Sequence, residues 1–276
     1  MNGSSRIWGP LMGFAQRLHA SLAPVWPDLP GRWGFAAWDL DEREPVLHGA
    51  DQQVEAASTI KVLIMIAALR EVHDGSLALD TELRLPHERV GGTGILRELP
   101  SVHRLSLGEL LNLMIVVSDN AATNLLLETV GFAAVAECAS SLGATSTRVE
   151  RLLMDAEAEG LNLTTARDQA LVLDRLARGS ALPETLTKHA LDVLARQQIR
   201  DRLPAHLPEF TRCWNKTGEQ LTLRHDVGLI GDDRPRAVVA VLVDELEDEL
   251  SIRDYRGGPA CPRIADLGAA VHRALD

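Results

Sequence analysis

The sequence predicts an α/β fold: a five-stranded antiparallel sheet flanked by terminal helices, with an all-helical segment inserted between its strands. Three observations carry this. Strand-like segments lie near the two ends of the chain, two before residue 52 and three from residue 210 onward. The stretch from about 58 to 200 switches to helical periodicity. A helical pattern also precedes the first strand, and another follows the last. The expected division is a sheet domain of residues 1–57 and 205–276 and an inserted helical domain of residues 58–204. No repeat or low-complexity linker marks the borders, so the change of period places them.

In chain order, residues 11–22 read as a helix that ends before Pro24. RWGFAAWDLD (32–41) and EPVLHGAD (44–51) read as two strands joined by a charged turn. STIKVLIMIAALREVHDG reads as a helix opening near Ser58 and closing at Gly75; it is apolar on all faces, which marks it as buried. RLSLGELLNLMIVV carries Ser106 and Glu109 in capping-box spacing, and AATNLLLETVG is a further helix stopped at Gly131. Thr165 and Asp168 repeat the capping-box spacing in TTARDQALVLDRLARG, which ends at Gly179. PETLTKHALDVLARQQ begins with proline in its first turn. FTRCWNKTG (210–218), LRHDVGLIG (223–231) and RAVVAVLVDE (236–245) return as strands, and PRIADLGAAVHRAL closes the chain as a helix.

The net charge of −11 argues against nucleic acid and anionic membrane surfaces as partners. No run of eighteen apolar residues occurs, so no membrane span is expected. The cysteines, Cys138, Cys213 and Cys261, are far apart with no C-x-x-C, which speaks against a disulfide framework or a structural zinc. The histidines show no ligand spacing such as H-x-x-x-H, so neither a metal nor an organic cofactor is expected. The N-terminal stretch lacks the apolar core of a secretory signal. Localisation stays open between the cytoplasm and, if a leader precedes this sequence, the periplasm or exterior.

Lysine usage is the first pointer to chemistry. Of 28 basic residues only Lys61, Lys188 and Lys216 are lysine. Where arginine serves so widely, the remaining lysines are enriched at sites where arginine fails, and arginine cannot give up its proton. Lys61 sits in one of the most apolar runs of the chain, one helical turn after Ser58. A serine at a helix start has unpaired N–H groups beside it, and a neutral lysine one turn on could take its proton. Taken alone, S-x-x-K is more often an N-cap followed by a surface lysine. Ser118-Asp119-Asn120 taken alone is a turn, and Lys216-Thr217-Gly218 alone is a strand end.

Together, in one order and each on the element its chemistry needs, these motifs are the set S-x-x-K, S-D-N and K-T-G. From about residue 32 to the C-terminus the chain resembles the penicillin-recognising serine hydrolases, most closely the class A β-lactamase family, and SDNAATNLLL, with Asn124 four residues beyond Asn120, looks like the class A form. The resemblance implies the β-lactamase/transpeptidase-like architecture, with the active site between its two parts. It implies Ser58 as the acylated nucleophile, Lys61 as its proton acceptor and Ser118 as a shuttle to the leaving nitrogen. Asn120 would bond the substrate's side-chain amide. Lys216, Thr217 and Gly218 would form the wall that holds the substrate carboxylate. The N–H groups of Ser58 and Glu219 would form the oxyanion hole. Arg224 is expected near Thr217 across a hairpin as a second cation for the carboxylate, while alternation turns His225 to the other face. GGTGILREL (91–99) is expected at the cleft rim, or as a Gly-rich turn before a short helix.

One part of the pattern is missing. Class A enzymes carry a glutamate in E-x-x-L-N, which activates the deacylating water. Here the L-N is Leu161-Asn162 and the glutamate position holds Ala158; matching from Arg151 instead brings Leu153 to that place. Asp155, Glu157 and Glu159 are nearby but offset. The expected function is therefore a β-lactamase-like serine hydrolase acting on β-lactam amides through a Ser58 acyl-enzyme with slow deacylation. The alternatives are a penicillin-binding-type D-Ala-D-Ala peptidase or esterase, or a sensor that is acylated without turnover. The expected partner is a small-molecule β-lactam or D-Ala-D-Ala-like substrate, and the chain is expected to be a monomer.

Overall fold

The computed structural model describes residues 12–26, 29–246 and 258–276. The predicted helix start at residue 11 lies outside them. A five-stranded antiparallel sheet is formed by β1 (Arg32–Asp39), β2 (Val46–His48), β7 (Arg212–Gln220), β8 (Leu223–Gly231) and β9 (Pro235–Asp244), in the spatial order β2-β1-β9-β8-β7. The strands from the two chain ends meet where β1 pairs with β9, Arg32 opposite Asp244 through Asp39 opposite Ala237. β7 is one edge of the sheet and β2 the other.

Both faces of this sheet are covered, so its strands are buried along nearly their whole length, with successive side chains feeding two different cores. Trp33, Phe35, Ala37, Val239, Val241 and Val243 point to one face, where helices α1 (Phe14–Leu22) and α8 (Ala260–Arg273) supply Leu18, Leu22, Ile264 and Val271. Ala36, Trp38, Val238, Ala240 and Leu242 point to the other face and join the larger core built by the helical segment. The terminal helices thus share one face, as the sequence predicts.

The helical segment contains α2 (Lys61–His73), α3 (Leu107–Val116), α4 (Asn120–Val130), α5 (Phe132–Leu142), α6 (Ala166–Ala177) and α7 (Glu184–Ala195). Helix α2 is buried from Lys61 to Leu69 on every side, which explains its apolar sequence. The Ser106–Glu109 capping box forms in both directions. The second expected box forms by half. Thr165 accepts from the Asp168 N–H, but the Asp168 carboxylate turns to the Ser146 N–H and the Thr147 hydroxyl instead. Two short ribbons, β3 (Val54–Glu55) with β6 (Leu163–Thr164) and β4 (Glu82–Arg84) with β5 (Arg104–Ser106), and helix α5 were not individually legible, being too short or lost in the apolar run.

Candidate active site

The expected single helix from Ser58 is two elements. Residues Ala57–Ile60 form a 3₁₀ turn, and the α-helix begins at Lys61, whose N–H reaches back to the Ser58 carbonyl. Ala57 sits at φ 44°, outside the right-handed region, so no α-helix can run through it. The tighter turn presents Ser58, partly exposed, to a cleft of about 400 Å³. Strand β7 lies hard against the back of the turn. A Cβ on Gly218 would lie 3.1 Å from Thr59 Cγ2 and 3.3 Å from both the Ala56 carbonyl and Ala57 Cβ. A glycine here thus lets the Ala57–Ile60 turn pack directly against the strand.

Lys61 is fully buried, and its ammonium is held by three acceptors: the Ser118 carbonyl at 2.8 Å, Ser118 Oγ at 3.0 Å and Asn120 Oδ1 at 2.9 Å. Burial, and next the charge of Lys216, push its pKa well below the ordinary lysine value, while Asp119 opposes. Lys216 comes from β7 on the opposite wall, donates to Ser118 Oγ at 3.1 Å and to the Thr217 carbonyl at 2.7 Å, and is lowered to about 7, chiefly by burial. The Ser118 hydroxyl therefore bridges the two buried lysines. The serine holds this position on a left-handed backbone, φ 58°, and its carbonyl also accepts from the Thr93 hydroxyl at 2.6 Å. Among the described residues the Ser58 hydroxyl has no hydrogen-bond partner, so it is open to a ligand or to a freed amine.

Asp119, the middle of the S-D-N triplet, is a brace. One oxygen caps α4 at the Ala122 N–H, and the other accepts from the N–H groups of Ile95 and Leu96. It therefore pulls residues 91–99 onto the cleft, where Gly92 and Thr93 form the rim. Asn120 lines the cleft too, but its amide is already engaged, with Oδ1 on Lys61 and Nδ2 on the Gly91 carbonyl at 3.1 Å.

The far rim is the loop from Arg151 to Asn162. Asn162 folds its start, accepting from the N–H groups of Glu150 and Arg151 and donating to the Arg151 carbonyl. The Asn162 carbonyl takes the Ala56 N–H at 2.7 Å, and Arg151 pairs with Glu55 at 2.9 Å, so the loop is tied to the strand leading into Ser58. Leu152, Leu153 and Met154 face the cleft. Asp155, Glu157 and Glu159 do not line it and are exposed; Asp155 is spent on the N–H groups of Glu157 and Ala158.

The sheet wall is supplied by Thr217, Glu219, Gln220, Leu221 and Arg224. Strand register sets Asp226 opposite Thr217 and Arg224 opposite Glu219, so Arg224 lies two positions from its expected neighbour. Its guanidinium bonds the Gln220 and Leu223 carbonyls of the hairpin. His225 does take the other face: Nδ1 accepts from the Val243 N–H at 3.0 Å, so Nε2 carries the proton and donates to the Glu55 carbonyl at 2.9 Å.

Behind this wall lies a polar cluster that sequence reasoning missed. Arg202 is fully buried and reaches Glu219 with Nη2, the His225 carbonyl with Nη1 and Cys261 Sγ with Nε. Asp226, pushed up to about 7 by burial, accepts from Asn215 Nδ2 and the Leu203 N–H. Only the density of ionisable residues in HD at 225–226 and RDR at 200–202 hinted at it.

A sheet with a helical segment packed on one face, and a serine–lysine turn facing a second serine and a second lysine across a cleft, define the β-lactamase type of fold. The model of the "Beta-lactamase enzyme family" matches residues 15–275. Among solved structures the chain is similar to the beta-lactamase from Sphaerobacter thermophilus DSM 20745, at 31% identity over 95% of this chain and 97% of that one, TM-score 0.81. It is similar to PBP-A at 25% identity, 96% and 98% coverage and TM-score 0.82. A leucine-to-glutamate variant of PBP-A has been solved as an acyl-enzyme complex with penicillin G. An ancestral class A β-lactamase matches at 27% identity, 95% and 99% coverage and TM-score 0.81. The chain belongs to the β-lactamase family, and its fold is the class A one.

Proposed function

We propose that the protein is a serine hydrolase that opens β-lactam amides through an acyl-enzyme on Ser58 and releases the acyl group slowly. The observation that carries this reading is Lys61: a fully buried amine one turn after a partly exposed serine, with its proton disfavoured by burial and by a second buried lysine. A neutral Lys61 keeps two donors for its three acceptors and gains a lone pair. It takes the Ser58 proton as Oγ attacks the carbonyl carbon. The proton then passes by Ser118, 3.0 Å from Lys61 and 3.1 Å from Lys216, to the leaving nitrogen as the C–N bond breaks. The N–H groups of Ser58 and Glu219 stabilise the oxyanion; β7 is an edge strand, so alternate N–H groups face away from β8 and toward the cleft. Lys216, Thr217, Gly218 and Arg224 form the wall for the substrate carboxylate, and Asn120 meets the acyl-side amide. We place the reaction between the sheet portion (1–57 and 205–276) and the helical insert (58–204).

A second reading, a D-Ala-D-Ala-type peptidase or esterase, or a sensor held in the acylated state, is favoured by one feature. Leucine rather than an acid faces the cleft from the loop, and no side chain of that loop that lines the cleft can activate water. The test is a substrate panel (chromogenic cephalosporin, D-Ala-D-Ala peptide, simple thioester) run on wild type and Ser58→Ala, with mass mapping of the labelled residue. A label on Ser58 and loss of all turnover in Ser58→Ala is the expected result. A label on any other serine would sink the mechanism.

A further inference from the structure

The acyl end of the cleft is crossed by a side chain that the reading above does not use. Met154 lines the cleft from the far-rim loop, yet it is 62% exposed. Its thioether reaches the opposite rim: a Cβ on Gly92 would lie 3.2 Å from Met154 Sδ and would collide with the Asn120 amide. The methionine therefore runs over the cleft rather than into it, with its outer side in solvent. Its backbone directs this course. Met154 has φ 62°, a left-handed conformation that a residue with a side chain seldom adopts. The preceding residue, Leu153, is held at both backbone groups by Asn124, so the loop is pinned where the strap begins. Gly92 on the far side has φ 86° and no side chain, which leaves room for the sulfur. In the acyl-transfer reading the leaving nitrogen and the carboxylate belong to Ser118, Lys216 and Thr217, and the acyl-side amide belongs to Asn120. A substituent carried on that amide then has to pass between Gly92 and Met154.

We propose that Met154 is a specificity-determining strap: resting on Gly92 beside the Asn120 amide, it admits acyl groups that are slim next to the amide and excludes those that are bulky there. This rests on the Ser58 acyl-transfer reading and narrows its substrate class. A slim apolar group can slide beneath the unbranched, adaptable thioether and gain contact with it. A group that is bulky at its first atom has to displace a side chain whose backbone is pinned, which corresponds to a loss of about tenfold or more in acylation rate.

The test uses two penicillins with one nucleus and different acyl groups. Phenylacetyl puts a methylene next to the amide carbonyl, and 2,6-dimethoxybenzoyl puts a doubly substituted ring there. The rate of covalent labelling, followed by intact mass and mapped to Ser58, is measured for each. The decisive quantity is the phenylacetyl-to-dimethoxybenzoyl ratio, compared between variants so that the intrinsic reactivities of the two β-lactams cancel. Met154→Gly removes the strap and suits the left-handed backbone, and it should lower the ratio about tenfold. Met154→Gln, of similar length, should keep the ratio near wild type. Met154→Ala also lacks the reach and gives the answer should glycine loosen the loop. A ratio that moves by less than about threefold in both Met154→Gly and Met154→Ala overturns the inference, as does an equal fall in Met154→Gln. Ser58 labelled at an unchanged ratio removes the strap alone. No labelling of Ser58 by either penicillin in the wild type removes the acyl-transfer reading and the strap with it.

Discussion

The Asn124 amide clasps the backbone of Leu153 from both sides, Oδ1 accepting from its N–H at 2.8 Å and Nδ2 donating to its carbonyl at 3.0 Å. Two positions competed for the missing glutamate, Ala158 and Leu153. Leu153 is the one anchored to the S-D-N helix and lining the cleft. Leu153→Glu should therefore place a carboxylate at the loop wall without rebuilding the loop. A positioned general base corresponds to about 10²–10⁴ in rate, so acyl-enzyme breakdown should quicken by that order while acylation changes little. Intact-mass measurement of acyl-enzyme decay checks this; an unchanged lifetime would show that water does not approach from this side.

The native acids of the loop should be dispensable. Asp155 caps the turn at Glu157 and Ala158, and Glu157 faces solvent. Asp155→Asn and Glu157→Gln should leave a burst of product followed by slow turnover, as in wild type. A fast steady state abolished by either substitution would mean that the loop moves and supplies a base after all.

The architecture was legible because periodicity is a property of whole segments. Period two at both chain ends and an apolar helical middle demand a sheet with an insert, and the alternation at 35–38 and 238–243 splits between two cores as the pleat requires. The motif residues were legible because few residue types can do their chemistry. Hairpin register was not: placing Arg224 opposite Glu219 rather than Thr217 depends on the length of the turn at 221–222, which side-chain pattern does not encode. Nor was the 3₁₀ turn at 57–60, since the left-handed Ala57 has no sequence signature of the kind glycine gives. The Arg202 cluster escaped because a buried arginine is rare enough that a surface position is the better expectation from sequence.

Lys61→Arg should abolish acylation, although arginine stands at 25 other positions of the chain. Arginine keeps the charge but cannot accept a proton, and its five donors face only three acceptors here. A loss of about 10²–10⁴ in acylation rate is expected, along with a lower melting temperature from the unsatisfied donors. Near-wild-type acylation in a folded Lys61→Arg would reduce Lys61 to an electrostatic element.

His225 should make the fold sensitive to acid. Its ring is fully buried and lowered to about 4, first by desolvation and further by the charge of Arg202, against the bonds to backbone carbonyls, which favour the charged form; protonation would also turn Nδ1 from acceptor into donor and break the bond from the Val243 N–H. In the unfolded chain the ring titrates near its ordinary value of about 6.5. Between those values the unfolded state binds a proton that the native state refuses. The stability is thus fully present above about pH 6.5 and lost as pH falls toward 4, by up to about 3 kcal/mol. Asp226 next to it works in the opposite sense: raised to about 7, it binds a proton in the native state across the same window, so the wild-type curve alone hides both. His225→Gln separates them. Its amide can still donate to the Glu55 carbonyl and accept from Val243, but it does not titrate, while Asp226 is unchanged. Denaturant unfolding at pH 7 and pH 4.5 should show His225→Gln gaining on wild type in acid. Equal losses in the two proteins would mean that the ring keeps its native contacts when charged.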